Sequence, residues 1–343
     1  MERTYYIASW NQDKNEGVSR IVYDKENDQV LSCTLLDYIK RSSYFARTED
    51  HLFVLTEAPI ASPDSGCITS LHIVDDKPVV TDKMEHIASG ITHLSFSRDQ
   101  KHLYLSGYGT GSIYIVDVDP FGYLSNFRTG HVASGSSINK KRQESPHIHF
   151  SQQTPDGEYL CACDLGTDEI LVFMTDPHSG DITLISTLKT PLGYGPRHMA
   201  FSKDGRYAYV LCELTYHLLI YAYEGTGNLE FIKDIDLYPE APVDQRQCSA
   251  IKINKEGTLL YTINRGQETS CLDIYDLSDG EDPKLICRSH DVYFSRDLTL
   301  LDDGYVAVCN QPGDNVQFLK YEDSELKETG RFPIKTPVSL VEW

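Results

Sequence analysis

"MAFSKDGRYAYVLCE", residues 199–213, decides the fold: an apolar run, a polar Asp-Gly turn, and a second apolar run that ends on a carboxylate. Runs this short, rich in aromatic and β-branched residues and joined by Asp-Gly, read as two antiparallel strands. The unit recurs as "LSFSRDQKHLYLSG" (94–107), "HFSQQTPDGEYLCACD" (149–164), "IKINKEGTLLYTIN" (251–264) and "LTLLDDGYVAVCN" (298–310), with "YFARTEDHLFVLTE" (44–57) a weaker copy. A third strand follows most copies ("SIYIVDVD", "EILVFMTD", "LLIYAYE", "LDIYDL", "NVQFLKYE"), then a more variable fourth. One copy is one small antiparallel sheet.

The turns recur about every 47 to 57 residues, a period that suits four-stranded propeller blades and is too long for leucine-rich or ankyrin units. Six copies are internal. A seventh combines "PVSLVEW" at the C-terminus with "TYYIASW" and "GVSRIVYD" at the N-terminus, which closes the ring and removes exposed edges. Two β-sandwiches would also give short strands and turns, but not this regular spacing. The expectation is an all-β, seven-bladed β-propeller, one domain over residues 1–343, closed by N- and C-terminal strands in one blade.

Composition narrows the function. With 40% hydrophobic and 24% charged residues the 343-residue chain is globular, and a formal charge of -20 opposes a general grip on nucleic acid or anionic lipid. An anionic ligand would need a local basic pocket; "INKKRQ" (138–143) is the densest basic stretch. The nine cysteines sit mostly inside apolar strands and read as reduced thiols, without zinc-finger spacing. "MERTYYIASW" lacks a signal-peptide pattern, and no apolar run approaches the roughly 20 residues that span a bilayer. A cytoplasmic protein, monomeric or weakly homo-oligomeric, is expected.

Since the Asp-Gly turn joins first and second strands, the start of the first and the end of the second meet at the opposite face. Starts supply His147, His149, Arg197, His198, Arg296 and Asp297; ends supply Asp164, Glu213, Asn264, Arg265, Asn310 and Gln311. Glu213 and Arg265 each lie eight residues after a turn glycine, Gly205 and Gly257, hence at equivalent places. The plain reading is ion pairs tying blades together, Arg197 to Glu213 or Arg265 to Asp164 or Glu213. The functional reading is an anion pocket, because cations are in excess on this rim of an acidic chain.

"RQESPHIH", "DGEYLCACDLGTDEILVF", "GYGPRHMAFSKDGRYAYVLCEL", "INRG" and "FSRDLTLLDDGYVAVCNQPGDN" resemble, in order from about residue 131 onward, successive blocks of the lactonase propeller family. That family includes bacterial 6-phosphogluconolactonases of the seven-bladed type and fungal carboxy-muconate lactonizing enzymes. The resemblance implies a pocket on one propeller face whose histidine, two arginines and glutamate fall on His149, Arg197, Arg265 and Glu213, with His147 the neighbouring option. "GSSINKKRQ" departs from the family in carrying Lys where Pro and Glu are frequent.

These residue types suit lactone hydrolysis. A histidine, with its ordinary pKa near neutral, is a general base; Glu213 orients it or is itself the base; Arg197 and Arg265 grip anionic oxygens and meet the oxyanion. Arg142 and Arg296 are second choices for a phosphate, with Gln143, His147, Asp164, His198, Asn264 and Gln311 as further substrate-binding candidates. No nucleophile elbow is present. His147 and His149, on one face of a strand, would begin a metal site only with Asp164 or Glu213, so neither metal nor cofactor is expected. "GYGTG" (107–111) is a turn. The expected activity is hydrolysis of 6-phosphogluconolactone, a small anionic sugar lactone of the pentose phosphate route; a muconate-type lactonizing reaction and a non-catalytic binding propeller are the alternatives.

Overall fold

The structure, a computed structural model, describes residues 2–10, 17–27, 29–57 and 64–343. It is all-β, a seven-bladed β-propeller of seven four-stranded antiparallel sheets. Six blades use four consecutive strands; the seventh pairs Pro337–Glu342 with Glu2–Ser9, followed by Gly17–Asp24 and Gln29–Lys40, so the two chain ends share one sheet as the repeat predicts.

Burial grades across each blade. In the third internal blade Ile148–Gln153, Tyr159–Asp164 and Glu169–Thr175 are largely buried, whereas Ile182–Lys189 alternates or faces solvent. This is why the second and third strands read as continuous apolar runs: both faces lie against neighbouring blades. Two compact units are distinguished, residues 45–237 and residues 1–44 with 238–343. Within the first, Phe150, Cys161, Cys163 and Val172 of one blade pack on Met199, Val210, Leu219 and Tyr221 of the next. Within the second, Ala250, Ile263 and Ile274 pack on Leu298, Val308 and Leu319. Each fully buried aliphatic side chain contributes about 1.5–3 kcal/mol. All nine cysteines are free; six are buried, but Cys33, on an outer strand, is exposed.

Neighbouring blades of the 45–237 unit are also stapled by a ring lying against a glycine. A Cβ on Gly180 would sit 2.4 Å from Cγ of His102, and one on Gly122 would sit 2.4 Å from Cδ2 of His51. His102 is fixed in turn by Asp117, 2.9 Å from its Nδ1. Gly180 also has φ +70°, where a side chain is strained. Gly180→Ala is therefore expected to destabilise the protein by about 1–3 kcal/mol in urea unfolding. A loss within error of zero would show that the His102 ring moves aside freely.

One backbone irregularity positions the site. In six blades the pairing of the inner strand with the second slips by one residue near the inner strand's start. Ile148 faces Asp164 and Phe150 faces Cys163, leaving His149 as the extra residue; Pro196 faces Cys212 and His198 faces Leu211, leaving Arg197 extra. Such β-bulges turn a side chain out of the strand's alternation.

Candidate active site

The register places Ile148, Pro196, Cys248 and Ser295 opposite Asp164, Cys212, Asn264 and Asn310. Strand starts and second-strand ends therefore meet at the end of each blade away from the turn, as expected. The residues just beyond the second strands are then equivalent: Leu165, Glu213, Arg265 and Gln311, together with Tyr108, which follows Gly107 opposite Ile91.

In the 45–237 unit these positions form one connected cluster around Glu213, which is 1% exposed. Arg197 donates from Nε to Glu213 Oε2 at 2.9 Å, and Arg142 donates from Nη2 to Oε1. The pair expected between neighbouring blades thus joins two strands of a single blade, while Arg142 reaches in from the loop ahead of the preceding blade. Burial opposes the charge on Arg142, but Glu213 and then Tyr108 outweigh it and raise its pKa. Two guanidiniums on one carboxylate leave a net positive charge at this point of an acidic chain.

The imidazoles differ in their commitments. Arg197 Nη1 donates to His198 Nε2 at 3.1 Å; a guanidinium only donates, so His198 carries its proton on Nδ1. His147 donates from Nδ1 to the Tyr108 carbonyl at 2.8 Å, lies flat on the Tyr108 ring with centroids 4.3 Å apart, and has Glu144 3.4 Å from Nε2. His149 meets the same ring edge-on at 5.6 Å and the His198 ring at 5.1 Å. His147 precedes the strand and His149 occupies the bulge, so strand alternation is not what brings the two rings together. Among the described residues no group of three or more His, Cys, Asp or Glu is arranged to hold a metal ion.

Loops behind the cluster are held by buried polar groups. Asp168, fully buried, accepts from the backbone N–H of Gly193 and Gly195 and from Ser137 Oγ, linking the loop before Arg197 to the loop that carries Arg142. Gly195 C=O in turn accepts from Glu213 N at 2.7 Å. The amide of Gln143 is occupied by the Leu165 carbonyl and the Asn139 N–H. Asp164 Oδ1 accepts from His147 N at 2.7 Å and Gly166 N at 2.9 Å.

Burial raises the pKa of Asp164 against those hydrogen bonds. A carboxyl raised in this way adds stability only while protonated, below its unfolded value near 4, and that contribution is lost as pH rises through the folded value. The equivalent Asn264 accepts from Gln247 N, the counterpart of His147 N, at 2.8 Å. Asp164→Asn is therefore expected to raise the thermal midpoint at pH 7, with the advantage shrinking as pH falls toward 4. A lower midpoint at pH 7 would mean that the carboxylate's charge is used locally.

The remaining candidates lie in the other unit. Arg265, 4% exposed, donates from Nε to the Cys248 carbonyl at 3.2 Å and lies over the Phe294 ring at 5.7 Å. Asn264 staples its own loop through Thr269 and Gln245. Arg296 and Gln311 are half-buried, and Asp297 accepts from Ser339 Oγ at 3.1 Å. A cleft of about 860 Å³ in this unit, lined by Arg3, Lys25, Tyr261 and Tyr305, lies at the turn end of the strands. Two of its cations are already paired, Arg3 with Asp302 and Lys25 with Asp303, and it gathers no imidazole, so the convergent chemistry of the 45–237 unit is the better site.

Tyr108 was not singled out by the sequence, nor was His93, whose ring lies 5.9 Å from that of His198. The signal for Tyr108 was available: it lies eight residues after Gln100, a non-glycine residue at φ +60° in the turn position that Gly157, Gly205 and Gly257 fill elsewhere.

Arginines, a carboxylate and imidazoles gathered at one end of a propeller's blades make a convergent polar site of the kind that small-molecule pockets use. The chain belongs to the family described as "Lactonase, 7-bladed beta-propeller", whose model matches residues 4–342. It is 24% identical over 336 residues to the 6-phosphogluconolactonase of Bacillus subtilis, covering 96% of this chain and 93% of that protein. It is 27% identical over 332 residues to an uncharacterized protein of Staphylococcus saprophyticus, covering 92% and 90%. Among solved structures, the periplasmic gluconolactonase of Pseudomonas aeruginosa shares the fold with a TM-score of 0.88 at 24% identity, covering 100% of this chain and 99% of that one. A Lactobacillus plantarum protein does so with a TM-score of 0.90 at 22% identity, covering 100% of both.

Proposed function

We propose that the protein is a carboxylic ester hydrolase that opens 6-phosphogluconolactone to 6-phosphogluconate, the hydrolytic step of the oxidative pentose phosphate route. The observation that carries this reading is the placement of two guanidiniums, Arg142 and Arg197, on one buried carboxylate, with His198 joining Arg197 to the ring of His149. The name of the Bacillus relative supports the substrate. Nine free cysteines support a reducing compartment, the cytoplasm.

In this mechanism the Arg142 side chain, 31% exposed and the more open of the two, holds the anionic phosphate. His149 takes a proton from the attacking water, whose oxygen bonds to the lactone carbonyl carbon. Arg197 donates to the oxyanion that forms there, an interaction that contributes about 3–4 kcal/mol in comparable sites. Glu213 orients both arginines, since each of its oxygens already accepts from one. His147, tied to Tyr108 and Glu144, is the weaker choice of base.

The test is turnover by chelator-treated protein at neutral pH, with 6-phosphogluconolactone generated in situ and unphosphorylated gluconolactone alongside. Turnover well above spontaneous hydrolysis that is lost in Arg197→Ala supports the reading. A rate equal to spontaneous hydrolysis overturns it, leaving a muconate-type reaction or a binding propeller.

A further inference from the structure

We propose that Tyr108 is a catalytic residue of this reaction, the acid that protonates the departing ring oxygen of the lactone; the inference rests on the hydrolase reading above. Tyr108 occupies the register position that Glu213 holds two blades further on, and its ring is fixed on two sides, flat against His147 and edge-on to His149. Its backbone carbonyl holds His147 at 2.8 Å, so backbone and ring are anchored by the same imidazole. The phenol oxygen accepts from Arg142 Nη2 at 3.4 Å. An oxygen that accepts from a guanidinium keeps its own O–H to donate, and the cation beside it stabilises negative charge left behind.

Ring opening needs such a donor. As water bonds to the carbonyl carbon and gives its proton to His149, the bond from that carbon to the ring oxygen breaks, and the electron pair stays on an alkoxide, a poor leaving group. Tyr108 gives that oxygen its proton; the imidazolium of His149, whose ring lies against Tyr108, returns a proton to the phenolate. One water is consumed, one hydroxy acid is formed, and both side chains end as they began.

Tyr108→Phe keeps the ring contacts with His147 and His149 and removes only the hydroxyl. The expected result with the full chain at pH 7 is a fall in kcat of about 10²–10³-fold. KM, calorimetric affinity for 6-phosphogluconate and the thermal midpoint stay close to wild type. A kcat within about threefold of wild type overturns the inference, as does weakened product binding in proportion to lost rate, which would make Tyr108 a brace for Arg142. Wild-type turnover is measured first: its absence is failure of the hydrolase reading, whereas its presence with an undiminished variant is failure of Tyr108 alone.

Discussion

Glu213→Ala is expected to destabilise the protein by about 3–5 kcal/mol and to remove activity with it, the stability part read from urea unfolding. The cost arises from what remains. Arg197, its side chain 4% exposed, keeps its charge beside the His198 ring, and Arg142 loses the carboxylate that fixes it beside the Tyr108 hydroxyl. Breaking a buried pair from one side is worse than deleting it, so Glu213→Leu combined with Arg197→Met should recover much of the stability and none of the activity. A loss below about 1 kcal/mol for Glu213→Ala would show that water reaches the two guanidiniums, as at an exposed ion pair.

The contrast with exposed pairs is useful because the chain has many. Lys284 with Asp282 and Arg206 with Asp204 lie at the surface, and Lys284→Ala or Arg206→Ala should leave the unfolding midpoint nearly unchanged. Burial, not the presence of an ion pair, makes Glu213 consequential.

The fold was legible because its unit repeats. An Asp-Gly turn between apolar runs predicts a hairpin once, and at blade-length spacing it predicts every blade, including the closing one, where Tyr5 to Ser9 pair with residues 337 to 342. The site was legible where it shares that periodicity: the eight-residue offset found Glu213 and Arg265. It missed Tyr108 because Gln100 stands where the turn glycine was sought. The bulges at His149 and Arg197 left no trace in composition, since a one-residue slip changes orientation without changing residue type. Gln143 and Asn264 looked like ligand groups, yet their amides are occupied by loop backbone, a demand set by burial that sequence alone does not display.

His149→Ala is expected to lower kcat on 6-phosphogluconolactone by about 10²–10⁴-fold, the range of a lost general base. The assignment of His149 over His147 follows from what His147 already holds in place. His147 has its Nδ1 proton on the Tyr108 carbonyl and Glu144 beside Nε2, and its backbone N–H is bound by Asp164, so His147→Ala should cost stability more than rate. His149 sits at the bulge between the Tyr108 and His198 rings, next to the proposed acid. Both histidines are 6% exposed and both deletions cost stability, so the two variants separate on kcat. If His147→Ala instead loses the rate and His149→Ala keeps it, the base is the histidine of the loop, and the bulge serves only to pack the ring of His149.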